Sequence, residues 1–302
     1  MAPPVAGYVG WWDASAITGI ADGAALFGWA NLTGDYHYDL IPNNPAATPI
    51  YYSTTAAQLV GGRPTVVFDG TTSFMQCSGS PATLTQPYSV VAVVSNPTVE
   101  TAARAVTDTP VGAAAFQSIS GHWILVAGAT LTGPPKTSGP VFLAAVFNGA
   151  SSSLTAGAAT VTGNAGTNSL QPLLVGNNDS ISAYWNGAIC ELILYPFALA
   201  STDITALETY LGDKWLAHRG SADLSAGPLH ITTSSAITAP TITGTATLNI
   251  GPVTIAAADV VLTRLGAAAV NLGPAILVVV GARLGPGGWP VPAYRGRWRL
   301  TL

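Results

Sequence analysis

Charge is scarce in this sequence: 8% of its 302 residues are Asp, Glu, Lys or Arg, against roughly 25% in an ordinary soluble domain. Only two of the ten basic residues are lysines, Lys136 and Lys214. Without a dense Lys/Arg stripe the chain lacks the electrostatic footprint of a nucleic-acid binder. Cysteine is equally rare. Cys77 and Cys190 are too few for a disulfide framework and form no metal motif. They pair if their strands are neighbours and are otherwise buried free thiols. Unbroken apolar runs are missing too, although the mean hydropathy is positive. Leu265 to Ala282 is interrupted by Gly266, Asn271, Gly273, Pro274 and Gly281 and flanked by Arg264 and Arg283. A spanning helix wants about 20 mainly apolar residues, so no membrane span is expected. MAPPVAGYVGWWDAS has no basic n-region and no long apolar h-region, and no Sec signal peptide is expected there.

The few charges are unevenly placed. Residues 1–221 hold five basic and twelve acidic side chains, and residues 222–302 hold five Arg against Asp223 and Asp259. That shift from −7 to +3 predicts two parts, divided near 220/221.

Short β-type runs bounded by Gly, Pro and Asn dominate what is present. PYSVVAVVSN, HWILVAGATL and GPVFLAAVFNG read as strands, and QPLLVGNNDSISAYWNGAICELILYP as two more. RPTVVFDGTTSFMQCSG reads as a hairpin turning at Asp69-Gly70. One stretch reads as a helix, over about 202–217. Ser201 or Thr202 is its expected N-cap, with Asp203 in the first turn. Ile204, Leu207, Leu211 and Trp215 recur at helical spacing, and Gly220 ends the pattern. After that the chain turns Thr-, Ala- and Pro-rich and ends WPVPAYRGRWRLTL. Residues 221–302 read as a small β-rich assembly or docking module, with a flexible stalk as the alternative.

Four ordered blocks carry a resemblance. They are WWDASAITGIADGAALFGWANLTG, LVGGRPTVVFDGTTSFMQ, LLVGNNDSISAYWNGAICELILYPFAL and LETYLGDKW. Over residues 1–220 the chain resembles the concanavalin-A-like lectin/glucanase superfamily, specifically its laminin-G-like jelly rolls. The resemblance implies an all-β fold: a two-sheet antiparallel jelly-roll sandwich with one C-terminal capping helix, followed by the small β-rich module. The architecture of the whole chain resembles a bacteriophage minor tail protein. That implies a virion component, assembled in the host cytoplasm, whose lectin-like domain meets host-surface glycan. Its partners would be other tail proteins and sister copies. The alternatives are an exported cellular carbohydrate-binding protein and a divergent glycoside hydrolase.

Glucanases of this superfamily place two glutamates close together on one strand, and retaining glycoside hydrolysis needs carboxylates about 5–5.5 Å apart. Here only Glu100, Glu191 and Glu208 are glutamates, and no two lie two to five residues apart. Glu191 therefore reads as structural and the chain as a non-enzyme without glycosidase activity. There is no Gly-x-Ser-x-Gly elbow, no phosphate loop, and His37, His122, His218 and His230 read as structural. Glycan contacts are expected from aromatics set among polar residues: Tyr36 and Tyr38 in DYHYD, Tyr184 and Trp185 in AYWNG, with Asn177 and Asn178 beside them. If Ca²⁺ binds, Asp179 in GNNDSIS is the favoured ligand, and Asp35 and Asp39 are further carboxylates, although turn-forming Asn and Asp explain both stretches. Trp289, Arg295, Arg297, Trp298 and Arg299 are the expected assembly interface.

Overall fold

The computed structural model describes residues 1–96, 99, 101–109, 114–177 and 183–216, together with the strand segments 230–231, 247–250, 254–255, 269–272 and 276–277. The chain divides into two units, Met1–His218 and Arg219–Leu302.

Among its described residues the first unit has sixteen strands and one α-helix. In chain order the strands are Gly10–Asp13 (β1), Ala24–Ala25 (β2), Leu40–Pro42 (β3), Ile50–Tyr52 (β4), Thr65–Asp69 (β5), Met75–Cys77 (β6), Tyr88–Asn96 (β7) and Arg104–Asp108 (β8). There follow Ala115–Ile119 (β9), His122–Val126 (β10), Thr130–Pro135 (β11), Gly139–Phe147 (β12), Ser152–Ala156 (β13), Ala159–Gly163 (β14), Leu174–Val175 (β15) and Asn186–Tyr195 (β16). One sheet runs β14–β13–β12–β7–β16–β5–β4–β2, with β1 paired to the second half of β16. The other runs β11–β10–β9–β8–β15–β6–β3. Every pairing in both is antiparallel. The expected two-sheet sandwich with a single helix is what forms.

β7 is buried at every position but Ser95, and β16 at every position but Asn186. A strand with only one covered face would alternate, so a continuous run requires cover on both faces. The second sheet covers one face, over a core containing Trp12, Trp29, Phe68, Phe116 and Trp123. The helix covers the other. Trp11, Asp13, Glu191 and Ile193 share that outer face by strand alternation.

The helix α1 spans Ser201–Leu211 and continues through a wider π-type turn over Gly212–Leu216. Leu207, Leu211 and Trp215 are buried and Ile204 packs beside them, as their spacing predicts. The cap differs from expectation. Ala200 occupies the N-cap position without a capping side chain, and Asp203 reaches back to accept from the Ala200 N–H at 3.0 Å. Ser201 and Thr202 lie one and two positions too far along, inside the first turn. Gly220 falls outside the described residues.

The Asp69-Gly70 hairpin does not form. β5 pairs with β4 and β16 in the first sheet, whereas β6 pairs with β3 and β15 in the second. The turn therefore carries the chain between sheets. Gly70 adopts a positive φ of 74°, and Asp69 organises the residues after it. Its carboxylate accepts from the N–H groups of Thr71, Thr72 and Ser73 and from the Thr72 and Ser73 hydroxyls, at 2.6–2.9 Å. Burial pushes the Asp69 carboxyl up, but these donors outweigh it and hold the group well below the usual carboxylate range. A depressed folded value makes the stabilisation complete above the unfolded value of about 3.9 and lost as pH falls through the folded one. Asp69→Ala should thus lower stability by about 1 kcal/mol at pH 7. The gap to wild type should close as urea midpoints are followed from pH 6 down through pH 3. A gap independent of pH would remove the carboxylate from this account.

Cys77 and Cys190 are free and buried, one in each sheet. Burial pushes the Cys77 thiol up to about 11 and the Cys190 thiol well above its ordinary value. Among the described residues no helix is long and apolar enough to cross a membrane.

The second unit has five described strands: His230–Ile231 (β17), Thr247–Ile250 (β18), Thr254–Ile255 (β19), Ala269–Leu272 (β20) and Ile276–Leu277 (β21). All of their pairings are parallel.

Candidate functional site

Asp13 and Glu191 stand directly opposite each other in the β1–β16 register. Like charges at such positions repel. Lys214, from the turn that ends the helix, bridges them. Its Nζ donates to Asp13 Oδ2 at 2.5 Å and to Glu191 Oε2 at 2.6 Å. Glu191 also accepts from Trp11 Nε1 at 2.8 Å, Tyr210 Oη at 3.1 Å and Trp215 Nε1 at 2.7 Å. Asp13 Oδ1 meanwhile caps the next turn, accepting from the Ser15 N–H and hydroxyl. Burial, and then the charge of Glu191, pushes the Tyr210 phenol far above its usual value, so it stays a donor.

This cluster explains the four sequence blocks. Trp11 and Asp13 come from the first, Glu191 from the third, and Tyr210, Lys214 and Trp215 from the fourth. The second docks on the same turn: Arg63 Nε donates to the Lys214 carbonyl at 2.7 Å. Gly61, at a φ of 56°, passes so close that a Cβ there would lie 2.4 Å from the Trp215 carbonyl oxygen.

Glu191 is 0% exposed; Lys214, Trp11 and Trp215 donate to it, and the Tyr210 hydroxyl divides its single hydrogen between Glu191 and the Met1 carbonyl at 2.8 Å. It is closed off from solvent within this cluster. Across the β1–β16 register its carboxylate neighbour is Asp13. Spacing along one strand could not reveal Asp13, which arrives from the far end of the unit.

Of the six side chains expected to meet glycan, one presents an open ring. Tyr36 is 65% exposed and stacks on His37, with ring centroids 4.0 Å apart. Tyr38 is buried, and its carbonyl accepts from Trp12 Nε1 at 3.0 Å. Trp185 is fully buried, stacked on Trp123 at 6.0 Å, with Nε1 donating to the Ala188 carbonyl. Asn177 is fully buried as well. Tyr184 is half-buried, its ring 6.2 Å from that of Phe74. Polar neighbours in sequence suggested exposure, but the large apolar area of these rings is drawn into the sandwich. Asn178 and Asp179 lie outside the described residues, as do Trp289, Arg295, Arg297, Trp298 and Arg299.

Asp35 and Asp39 are engaged in local structure. Asp35 accepts from the His37 N–H and meets its ring Nδ1 at 2.8 Å. The side-chain bond, then the backbone one, holds the Asp35 carboxyl below its ordinary value. Asp39 accepts from the Asn31 N–H at 2.7 Å. Among the described residues no three His, Cys, Asp or Glu gather to hold a metal ion.

A cleft of about 380 Å³ opens where α1 passes the β13–β14 edge hairpin. Ser153 is paired across the hairpin with Thr162, and Thr155 with Thr160. The alternation of β-strands puts all four hydroxyls on one face. Ser201, Ile204, Thr205 and Glu208 look back at them from one helix stripe, at i, i+3, i+4 and i+7. Leu199 adds apolar surface. Thr155 and Thr160 bond each other at 2.9 Å, and Thr205 donates to the Ser201 carbonyl. The site pairs a hydroxyl-rich wall and one carboxylate with apolar surface. Sequence reading passed over it because an alternating Ser/Thr pattern at a sheet edge looks like ordinary solvent-facing polarity.

No family model matches the chain, and no curated protein matches it in sequence. Among solved structures it is similar to Trypanosoma rangeli sialidase in complex with sialic acid, at 14% identity and a TM-score of 0.45, covering 71% of this chain and 34% of that one. It is also similar to domain 4 of AbnA, a GH43 extracellular arabinanase from Geobacillus stearothermophilus, in complex with arabinotriose. There the identity is 14% and the TM-score 0.48, covering 67% of this chain and 98% of the domain. A Bacteroides ovatus protein described as carbohydrate binding matches at 9% identity and a TM-score of 0.36, over 41% of each chain. The chain thus spans about a third of the length of the sialidase. The expectation of a non-enzyme is corrected by these likenesses, since the sialidase is an enzyme and the matched AbnA domain is part of one.

Proposed function

We propose that the first unit recognises carbohydrate, in the cleft between α1 and the β13–β14 hairpin. The observation that carries this is the lining. A sugar ring presents hydroxyls at its rim and C–H groups on its face. The Ser/Thr wall with Glu208 suits the first, and Leu199 with Ile204 suits the second. The volume falls in the range of about 300–1,000 Å³ usual for small-ligand sites. Tyr36 gives a second reading, because its exposed ring offers a stacking surface elsewhere on the unit.

The test is a glycan panel screened with the full chain, with hydrolysis products read from the same incubations. Glu208→Ala should weaken binding about 10-fold or more, the effect of removing a charged hydrogen-bond partner. Tyr36→Ala should leave it within about threefold, less than 1 kcal/mol. The reverse ranking would move the site to Tyr36, and no binding to any glycan would end the proposal.

The finer reading, display on a phage particle with residues 222–302 as the docking part, is supported by the two-part charge distribution and the composition of the second unit. None of the three similar structures is a virion protein. Recognition of carbohydrate by a cellular protein has at least equal support. Immunogold labelling of particles separates the two.

A further inference from the structure

The second unit contains a repeat. GPLHI, GPVTI and GPAIL begin at Gly227, Gly251 and Gly273. The last two continue longer matches, TLNIGPVTI from Thr247 and AVNLGPAIL from Ala269, so one copy follows the other after 22 residues. Strand pairing follows the repeat. His230 and Ile231 pair with Thr254 and Ile255, which pair in turn with Ile276 and Leu277. Thr247 to Ile250 pair with Ala269 to Leu272, which sets Asn249 opposite Asn271. Parallel pairing of equivalent positions, one repeat apart, is the pattern of a stacked solenoid.

Among the described residues the stack is short, and β17 and β21 each have one strand neighbour. β17–β19–β21 has three strands and β18–β20 has two. Repeat stacks need about three or more units for stability, and a lone strand pair is marginal at best. The next Gly-Pro, Gly285-Pro286, is succeeded by Gly-Gly-Trp-Pro rather than by a further apolar strand run, and proline gives no N–H to a ladder. Natural edges are blunted with lysine, other charges or proline. The five strands hold none of these, and residues 222–302 contain no lysine at all. A strand that pairs with its own repeat within the chain is matched equally by the same repeat in another copy.

We infer that the second unit is a repeat stack that pairs, edge strand to edge strand, with a second copy of this chain. This goes beyond the carbohydrate reading and does not depend on it. Light scattering on the full chain should give a multiple of the protomer mass, and tagged chain should co-purify with untagged chain. Ile231→Lys with Leu277→Lys places charge on both outer strands and should give monomer, while the near-ultraviolet tryptophan signal of the first unit is retained. Deleting residues 250–271 removes one repeat and joins Asn249 to Leu272 in register, so association should persist. Deleting 250–260 breaks the register and should abolish it. The inference is overturned if the wild-type chain is monomeric at every concentration tested. It is equally overturned if the double-lysine variant keeps the wild-type mass, if the in-register deletion abolishes association, or if the two deletions behave alike.

Discussion

Lys214→Met is expected to lower the stability of the first unit by about 3–5 kcal/mol, the usual cost of breaking a buried ion pair by removing one partner. The reason lies in the β1–β16 register. Asp13 and Glu191 are cross-strand neighbours, and both are buried. Without Nζ between them the sheet would hold two adjacent carboxylates with no counter-ion. The donors from Trp11, Tyr210 and Trp215 would remain on Glu191, but they carry no charge. The double variant Lys214→Met/Glu191→Leu removes only one of the two stranded charges, leaving Asp13 without its cation and the Trp11 and Trp215 N–H groups without their acceptor, so it should not recover the loss. Chemical denaturation of the two variants decides the matter. A loss below about 1 kcal/mol for the single variant would assign the cluster the small weight of a surface pair.

Trp215→Ala should have an effect of similar size, about 3–5 kcal/mol. The ring is 0% exposed and ends the apolar stripe of Leu207 and Leu211 on the outer face of the first sheet. Its removal leaves a cavity where Gly61 also approaches the backbone. It also takes one donor from Glu191. The two contributions can be separated. Trp215→Phe keeps most of the packing and loses only the N–H, which predicts a smaller loss of about 1–3 kcal/mol. If the phenylalanine variant lost as much as the alanine one, the hydrogen bond rather than the burial would be what holds the helix down.

The helix was legible because its signal is local. Ile204, Leu207, Leu211 and Trp215 repeat at the helical period, and no distant residue is needed to see a stripe that must be covered. The strands were legible from the same kind of evidence, short apolar runs between turn residues. Their partners were not. The run around Asp69-Gly70 satisfies every local rule for a hairpin, yet its strands enter different sheets, because the sandwich must move the chain across its core. The aromatic residues failed for a related reason. Tyr38 and Trp185 sit among polar neighbours in the chain, and which side of the sandwich they face is settled by sheets built from elsewhere.

The sequence by itself determined the class of the first unit, the position of its closing helix and the residues of that helix's buried face, all of which follow from spacing within a few residues. Only the tertiary structure decided that Asp13 lies beside Glu191, that Lys214 stands between them, and that a hydroxyl-lined cleft opens beside the helix stripe carrying Glu208. Those features depend on strand register and on the face each element presents. Both are fixed by contacts among residues far apart in the chain, and no local pattern encodes them.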